Sequence, residues 1–340
     1  MSQTVGVEVG NLIGADLEQE LYRQMAVARQ IDNEGVAMQR QGLVPGYAPM
    51  RGQEAAQVGS GAALDLARDF AFPTYRELGV AVAMGVDLVA YMATHLATWH
   101  GALYDPLASR FASVNAVVAG SVLHAVGWAK GEQLSGRSGV AVTYFGDGAS
   151  SQGDVHEAMN FAGVYRLPIV FFCQNNGWAI SVPTERQVAG GSVAARAAGY
   201  GIEGDRVDGN DVVAVYQATA AALERARAGG GPTVIEAMTY RAGPHATSDD
   251  PGRYRTLADE QAWVERDPLT LHARRLREQQ FADDQFFEAV TREAIAAAEE
   301  VRAGIIALEK RPGTEMFDFV FEQPTEPLLQ QKLAWQSQEF

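Results

Sequence analysis

Hydrophobic residues follow two different spacings along this chain, and the two alternate through its middle. Short runs of β-branched and other apolar residues, bounded by Gly or Pro, are typical of strands. Such runs occupy residues 139–145, 168–173 and 233–240, with shorter candidates at Phe70–Phe72 and 206–208. Apolar residues at helical spacing over 154–165 and 211–228 predict helices between them. Strands that alternate with helices in this way predict an α/β fold, with a mostly parallel sheet flanked by helices.

Both ends of the chain are patterned as helices rather than strands. Near the N-terminal end, one apolar face repeats at helical spacing: Leu17, Leu21, Met25 and Ala28. Asp16 is the expected N-cap of this helix, which we expect to end near Gly42. Helical patterning dominates again over 259–309. We therefore predict an N-terminal helical arm over residues 1–45, an α/β domain over 46–257 and a helical C-terminal region over 258–340.

One stretch of the chain is long and uncharged, residues 111–129 between Arg110 and Lys130. It contains Asn115, His124, two serines and two glycines, which makes it too polar for a good membrane span. We predict that it forms a helix buried within the protein.

Composition narrows the classes of partner. The 340 residues contain 27 Lys+Arg and 42 Asp+Glu, a formal net charge of −15. This charge argues against nucleic acid or an anionic membrane as a partner, because phosphate contacts need a basic patch. The single cysteine, Cys173, excludes an internal disulfide framework and a zinc site built from thiolates. We expect a cytoplasmic protein.

Polar residues follow each predicted strand at the point where ligands of open parallel sheets bind, beyond the strands' carboxyl ends. Gly146-Asp147-Gly148 follows one central strand and Asn175-Asn176 the next. His245 lies shortly after the strand that ends at Tyr240, and Tyr75-Arg76 follows Phe70–Phe72. We expect these four groups to face a single crevice.

The residue types in this crevice suit a phosphate-bearing ligand held through a metal ion. Asp147 offers a carboxylate and Asn176 an amide oxygen, a donor set that suits Mg²⁺ when water and phosphate complete the octahedron. Gly146 and Gly148 allow the chain to approach a ligand closely. Arg76 could bind phosphate oxygens in bidentate fashion. The pattern therefore points to a metal-bridged diphosphate cofactor.

Simpler interpretations of each motif remain open, because Gly-Asp-Gly and Asn-Asn are also common turn sequences. A dinucleotide-binding enzyme is a weaker alternative, since Ser151 stands where the third glycine of G-x-G-x-x-G belongs. The chain also has no phosphate-binding G-x-x-x-x-G-K-[ST] loop and no G-x-S-x-G nucleophile elbow.

Taken together, the motifs resemble a known family. Gly146-Asp147-Gly148 followed by Asn175-Asn176 is similar to the thiamine diphosphate motif, GDG followed by NN. The surrounding sequence resembles that of the alpha subunit of the decarboxylating component of 2-oxo acid dehydrogenase complexes over about residues 20 to 325. The matching segments include Pro73-Thr-Tyr-Arg-Glu77, Tyr144-Phe-Gly-Asp-Gly-Ala149, Phe171-Phe-Cys-Gln-Asn-Asn-Gly177, Arg206-Val-Asp-Gly-Asn-Asp211, Glu236-Ala-Met-Thr-Tyr-Arg241 and His245-Ala-Thr-Ser-Asp-Asp250.

The resemblance implies a thiamine diphosphate-binding fold with thiamine diphosphate and Mg²⁺ as cofactors. It implies that Asp147, Asn176 and the backbone of Trp178 hold the metal. The implied cofactor-binding residues are Tyr75, Arg76, Ala116, Val118, Gly146, Asp147, Gly148, Ala149, Asn176, Trp178 and His245. Of these, Ala116 and Val118 stand where the family bends the cofactor into a V. His245 is the implied catalytic residue, which we expect to handle charge near neutral pH.

The resemblance also implies an activity and partners. It implies oxidative decarboxylation of a small 2-oxo acid, with reductive acylation of a lipoyl group on an acyltransferase core. The resemblance implies that a beta subunit supplies the carboxylate that activates the cofactor, in an α2β2 heterotetramer. Branched-chain 2-oxo acids are favoured as substrates; pyruvate and acetoin dehydrogenases are the alternatives. A non-catalytic scaffold subunit is the alternative from a different class of protein.

Overall fold

The centre of the molecule is a parallel sheet. The structure is a computed structural model and describes residues 13–97, 103–309 and 311–337. The strands are β1 (Phe70–Phe72), β2 (Ala141–Gly146), β3 (Ile169–Asn175), β4 (Trp178–Ala179), β5 (Val182–Pro183), β6 (Glu203–Asp208) and β7 (Thr233–Met238). Five of them form one parallel sheet in the order β1-β2-β3-β7-β6, and β4 and β5 form a separate antiparallel hairpin. The predicted mostly parallel sheet is confirmed.

Helices cover both faces of this sheet. They are α1 (Ala15–Arg40), α2 (Glu54–Ala62), α3 (Leu78–Ala83), α4 (Leu88–Met92), α5 (Pro106–Ser109), α6 (Gly120–Leu134), α7 (Gly153–Tyr165), α8 (Val212–Arg227), α9 (Leu257–Val264), α10 (Pro268–Glu278), α11 (Asp284–Ala307) and α12 (Glu326–Gln336). None of the helices in the described ranges is both long and apolar enough to cross a bilayer.

Alternation along the central strands divides the core between the two faces of the sheet. Val142 and Tyr144 of β2 point to the cluster that includes residues of α1, α2, α8 and α11. Ala141 and Phe145 of the same strand point to the cluster built on α6 and α7. Burial of both faces explains why β2 and β3 are continuous apolar runs rather than alternating ones.

Helix α1 begins slightly earlier than predicted. Gly14 is its N-cap, and Asp16 lies inside the first turn instead of capping it. The Asp16 carboxylate is still favourable there, because the N-terminal end of a helix carries partial positive charge. Residues 1–12 of the predicted arm lie outside the described residues. Helix α1 packs directly on α11, and the boundaries proposed between the three regions stay a prediction.

The predicted helix over residues 111–129 is wrong in its first half. Phe111 forms an isolated bridge with Ala71, and α6 begins only at Gly120. The preceding Ala119 has φ 65°, a left-handed conformation that a helix cannot pass through. Helix α6 is also only partly buried, since Leu123 and Leu134 are exposed. Hydropathy alone gave no sign of the left-handed turn.

Candidate functional site

A cavity of about 250 Å³ lies beyond the carboxyl ends of the central strands. Ten of the eleven residues expected to bind the cofactor line it: Tyr75, Arg76, Val118, Gly146, Asp147, Gly148, Ala149, Asn176, Trp178 and His245. Ala116 is not among the lining residues and is exposed. Nine other residues that the sequence did not single out also line the cavity: Gln53, Thr74, Glu77, Val117, Ala119, Gln174, Ala179, Ile180 and Arg241. The four motifs therefore meet at one place.

The end of β2 places a buried carboxylate in this cavity. Asp147 is 1% exposed, and its Oδ2 accepts a hydrogen bond of 2.7 Å from the Thr184 hydroxyl. Burial raises the pKa of Asp147 above its ordinary value, while the bond from Thr184 works against that rise. Asp147 forms no salt bridge with a described residue. A buried carboxylate without a cationic partner is costly unless a cation binds beside it.

Two further oxygen donors come from the segment after β3. The Asn176 side chain is buried; its Nδ2 donates to Gln53 Oε1 over 3.1 Å, and its Oδ1 accepts from the Trp178 amide over 3.3 Å. The Trp178 carbonyl accepts from Arg241 Nη1 over 3.1 Å. Within the described ranges no group of three or more His, Cys, Asp or Glu side chains has the arrangement of a metal site. Any metal here would depend on one carboxylate and neutral oxygens.

The loop after β1 is held by a network of buried amides and one carboxylate. Gln57 of α2 donates to the Arg76 carbonyl and to Gln174 Oε1, both over 2.9 Å. Gln174 in turn donates to Glu77 Oε1 over 2.7 Å, and Thr74 donates its hydroxyl to Glu77 Oε2 over 2.6 Å. These bonds fix the backbone that presents the Arg76 side chain to the cavity.

Arg76 and His245 are direct neighbours. Arg76 Nη2 donates to the His245 carbonyl over 2.8 Å and lies 3.2 Å from its Nδ1, and Nη1 donates to the Pro49 carbonyl. The Tyr75 ring meets the His245 ring edge-on, with 6.1 Å between their centroids. Asp249 accepts from the His245 amide over 2.8 Å. The loop that carries His245 is thus tied to the loop after β1.

His245 is neutral at pH 7. Burial, followed by the positive charges of Arg76 and Arg241, lowers its pKa to about 4, and Asp249 opposes the shift only in part. Without a bound anion, the pKa of this histidine thus lies below the neutral range in which we expect it to act, and its catalytic role stays a prediction. Sequence patterning could not reveal the two arginines that surround it.

Arg241 is the main functional candidate that the sequence reasoning missed. It is 1% exposed and donates to three oxygens: the Trp178 carbonyl, the Ile180 carbonyl and the Tyr254 hydroxyl. Burial, and then the charge of Arg76, lower its pKa. Neither arginine forms an ion pair with a described residue. Two buried guanidinium groups without carboxylate partners make this cavity suited to an anion.

Comparison with known proteins identifies the family of this chain. The family described as "Dehydrogenase E1 component" matches residues 22–304. The chain belongs to the dehydrogenase E1 component family. This membership implies dependence on thiamine diphosphate, in agreement with the resemblance of the motifs.

Individual relatives carry more specific names. The chain is 44% identical over 312 residues to 3-methyl-2-oxobutanoate dehydrogenase subunit alpha of Mycobacterium tuberculosis, covering 92% of this chain and 84% of that protein. It is 39% identical over 294 residues to 2-oxoisovalerate dehydrogenase subunit alpha of Bacillus subtilis, covering 83% and 88%. It is 37% identical over 345 residues to pyruvate dehydrogenase E1 component subunit alpha of Staphylococcus epidermidis, covering 98% and 92%.

Proposed function

We propose that this chain is the alpha subunit of a branched-chain 2-oxo acid dehydrogenase. In this role it takes part in the oxidative decarboxylation of the 2-oxo acid and the reductive acylation of a lipoyl group. Its similarity to the 3-methyl-2-oxobutanoate dehydrogenase subunit, at 44% identity, supports the substrate class. The single observation that carries the proposal is the convergence of Asp147, Asn176, Arg76 and His245 on one cavity.

The donor set of this cavity fits a Mg²⁺ ion that bridges to a diphosphate. Asp147 would supply one carboxylate oxygen, Asn176 its Oδ1 and Trp178 its carbonyl. Each of these two neutral oxygens accepts one hydrogen bond, over 3.3 and 3.1 Å, and keeps a second lone pair for a cation. Mg²⁺ readily takes its remaining ligands from water and phosphate.

The two arginines supply positive charge for the diphosphate. Arg76 and Arg241 are both buried and would gain the anionic partner that they lack among the described residues. Charge-assisted hydrogen bonds from guanidinium to phosphate are about twice as strong as neutral ones. When bound, thiamine diphosphate supplies the electron sink for decarboxylation, while the protein orients it and excludes water.

His245 would act as a neutral hydrogen-bonding group beside the reacting atoms. With Arg76 next to Nδ1, its accepting nitrogen is Nδ1, and the proton is then carried on Nε2. A diphosphate bound between the arginines would offset their positive charge and raise the pKa of His245. That shift would bring the histidine closer to the range in which it can exchange a proton at neutral pH.

The cavity also supports dependence on a second subunit. Its lining within the described residues includes only two carboxylates, Asp147 and Glu77. Asp147 is assigned to the metal, and Glu77 is occupied by Thr74 and Gln174. No lining carboxylate is left to activate the cofactor ring, which is consistent with a beta subunit supplying it. We propose an α2β2 heterotetramer that works with a lipoyl-bearing acyltransferase core.

A pyruvate dehydrogenase alpha subunit is the second candidate. The relative from Staphylococcus epidermidis with that name matches 98% of this chain, although at the lower identity of 37%. An acetoin dehydrogenase subunit and a non-catalytic scaffold are less favoured, the latter because the buried charges of the cavity are costly to maintain without a ligand.

The test is a dye-reduction assay on the chain purified together with its beta subunit. We expect turnover that requires thiamine diphosphate and Mg²⁺, with a higher kcat/KM for 3-methyl-2-oxobutanoate than for pyruvate. A higher kcat/KM for pyruvate would favour the second candidate. Absence of turnover with every 2-oxo acid, in a complex that binds the cofactor, would contradict the proposed function.

A further inference from the structure

Strand β7 carries a buried carboxylate among apolar neighbours. Its sequence over 233–238 is Thr-Val-Ile-Glu-Ala-Met, the first five residues are buried, and Glu236 is 0% exposed. Strands that are covered on both faces of a parallel sheet are normally continuous apolar runs. A carboxylate in such a position is costly unless it is paired and hydrogen-bonded. The presence of Glu236 therefore needs an explanation that packing alone does not provide.

Glu236 is held mainly by hydrogen bonds from neutral groups. Its Oε1 accepts from Asn175 Nδ2 over 2.7 Å, and its Oε2 accepts from the Ser192 hydroxyl over 2.6 Å and the Ala194 amide over 3.1 Å. Arg206 Nε lies 3.9 Å away on a half-exposed side chain. Burial raises the pKa of Glu236, but the hydrogen bonds, led by that from Ser192, outweigh burial and hold the pKa below its ordinary value. The carboxylate is therefore charged at pH 7.

The bond to Glu236 fixes the direction of the Asn175 side-chain amide. Because Nδ2 donates to Glu236, Oδ1 lies on the opposite side, where it accepts from the Gly177 amide over 3.2 Å and from the Thr184 hydroxyl over 3.1 Å. With the amide reversed, its NH₂ group would face the N–H of Gly177, donor against donor. An ionised carboxylate only accepts hydrogen bonds, so Glu236 permits one of the two amide orientations.

Asn175 connects this carboxylate to the oxygens that are proposed to bind the metal. Gly177 has φ 85° and lies within 176–178, the segment that offers two of those oxygens, so the bond from its amide to Asn175 stabilises this turn. The Thr184 hydroxyl has one proton and two acceptors, Asp147 Oδ2 at 2.7 Å and Asn175 Oδ1 at 3.1 Å. Asn175 therefore gives the hydroxyl a second acceptor when a cation competes for Asp147.

We propose that Glu236 is a positioning residue for the metal site, which acts through Asn175 on the turn at Gly177 and on the Thr184 hydroxyl. The inference rests on the proposed function, because the oxygens of this segment are assigned there to Mg²⁺. Glu236 does not line the cavity, so it supplies no ligand of its own. Residues that support metal ligands in this way typically change metal affinity by about 10- to 100-fold.

Glu236→Gln tests the proposal with almost no change in side-chain volume. Glutamine has one acceptor oxygen and one amino group, so it cannot accept from both Asn175 and Ser192. Asn175→Ala removes the side chain through which Glu236 acts, and the double variant completes a mutant cycle. Glu18→Gln is the matched control, because Glu18 is also 0% exposed and its carboxylate is bound by Arg275 of α10, away from the cavity lining.

Each variant is purified as the full chain with its beta subunit. Thiamine diphosphate is titrated by calorimetry at a series of Mg²⁺ concentrations, and Tm is measured without cofactor. We expect Glu236→Gln to require about tenfold or more Mg²⁺ for half-maximal cofactor affinity, whereas saturating Mg²⁺ should restore the Kd to within about threefold of the wild type. Asn175→Ala should behave similarly, and the double variant should be little worse than either single variant. Glu18→Gln should lower Tm and leave the Mg²⁺ requirement unchanged.

An unchanged Mg²⁺ requirement in Glu236→Gln would overturn the inference. A cofactor Kd that is weakened equally at every Mg²⁺ concentration would also overturn it, because Glu236 would then be a structural residue only. Additive effects in the double variant would contradict action through Asn175. A normal Mg²⁺ requirement in Asn175→Ala would do the same, and it decides the question if Glu236→Gln does not fold. A wild-type complex that binds thiamine diphosphate independently of Mg²⁺ would instead contradict the proposed function, and this inference with it.

Discussion

Gly148 provides a steric test of how tightly the hairpin must lie against the end of β2. A Cβ atom added at Gly148 would lie 2.8 Å from the Ala179 Cβ and 3.3 Å from its Cα. Ala179 belongs to β4 and directly follows Trp178, whose carbonyl is assigned to the metal. Gly148 has φ −58° and ψ −45°, so alanine fits the backbone without strain. In the folded protein, the Gly148→Ala substitution therefore tests mainly the close approach of Ala179.

The size of the expected destabilisation follows from the overlap between the added Cβ atom and Ala179. Carbon atoms in contact normally lie about 3.5–4.0 Å apart, so the hairpin must retreat by roughly 0.7 Å. Overpacking of this kind costs about 1–3 kcal/mol, and the reduced freedom of the unfolded chain offsets about 0.4–1 kcal/mol of it. We expect a net loss of about 1 kcal/mol in the free energy of unfolding. Displacement of the Trp178 carbonyl should weaken cofactor binding about 10- to 100-fold, the usual range for altered support of a metal ligand.

Gly153→Ala is the matched control for this experiment. Gly153 is the first residue of α7, and a Cβ added there would meet nothing within 4 Å. We expect it to bind thiamine diphosphate like the wild type and to be slightly more stable. Calorimetric titration with the cofactor at saturating Mg²⁺ and urea unfolding provide the two measurements. A Gly148→Ala protein that matches Gly153→Ala in both measurements would refute the close approach of β4 to Gly148.

Three smaller predictions concern individual groups. Thr184→Val removes the hydroxyl that donates to Asp147 over 2.7 Å, and should lower the free energy of unfolding by about 1 kcal/mol and weaken Mg²⁺-dependent binding, as measured by urea unfolding and calorimetry. Burial lowers the pKa of His95 to about 4, below the ordinary value of about 6.5. The neutral side chain therefore stabilises the fold fully above pH 6.5, and this contribution is lost as the pH falls towards 4. Urea unfolding should show a loss of about 2 kcal/mol in the free energy of unfolding by pH 5, and the His95→Phe variant should lose less. An NMR titration of the His245 ring should give a pKa near 4 for the free protein and a higher value with Mg²⁺ and diphosphate bound, and an equal or lower value would contradict the placement of the anion.

Much of the fold and of the candidate site could be predicted because their signals are local. The β2 and β3 runs are buried on both faces, which leaves a continuous apolar sequence that ends in the polar residues at Asp147 and Asn176. Since parallel strands end on the same edge of a sheet, the convergence of the motifs follows from their positions after the strands.

Other parts of the site depend on contacts between distant residues. Nothing in the local sequence distinguishes Arg241 from a surface arginine at a strand end, because its partners are carbonyls 61 and 63 residues away. The β4–β5 hairpin has strands of only two residues, too short to show periodicity. The low pKa of His245 likewise depends on Arg76, which is 169 residues away.

The central claim is that Asp147 anchors a metal-bridged diphosphate in this cavity. The most direct test is calorimetric titration of the Asp147→Ala variant with thiamine diphosphate, with and without Mg²⁺. Asp154→Ala is the control, because Asp154 is an exposed carboxylate in the first turn of α7. We expect Mg²⁺-dependent binding in the wild type and the control, and a loss of about 100-fold or more in Asp147→Ala. Unchanged affinity and unchanged Mg²⁺ dependence in Asp147→Ala would contradict the account.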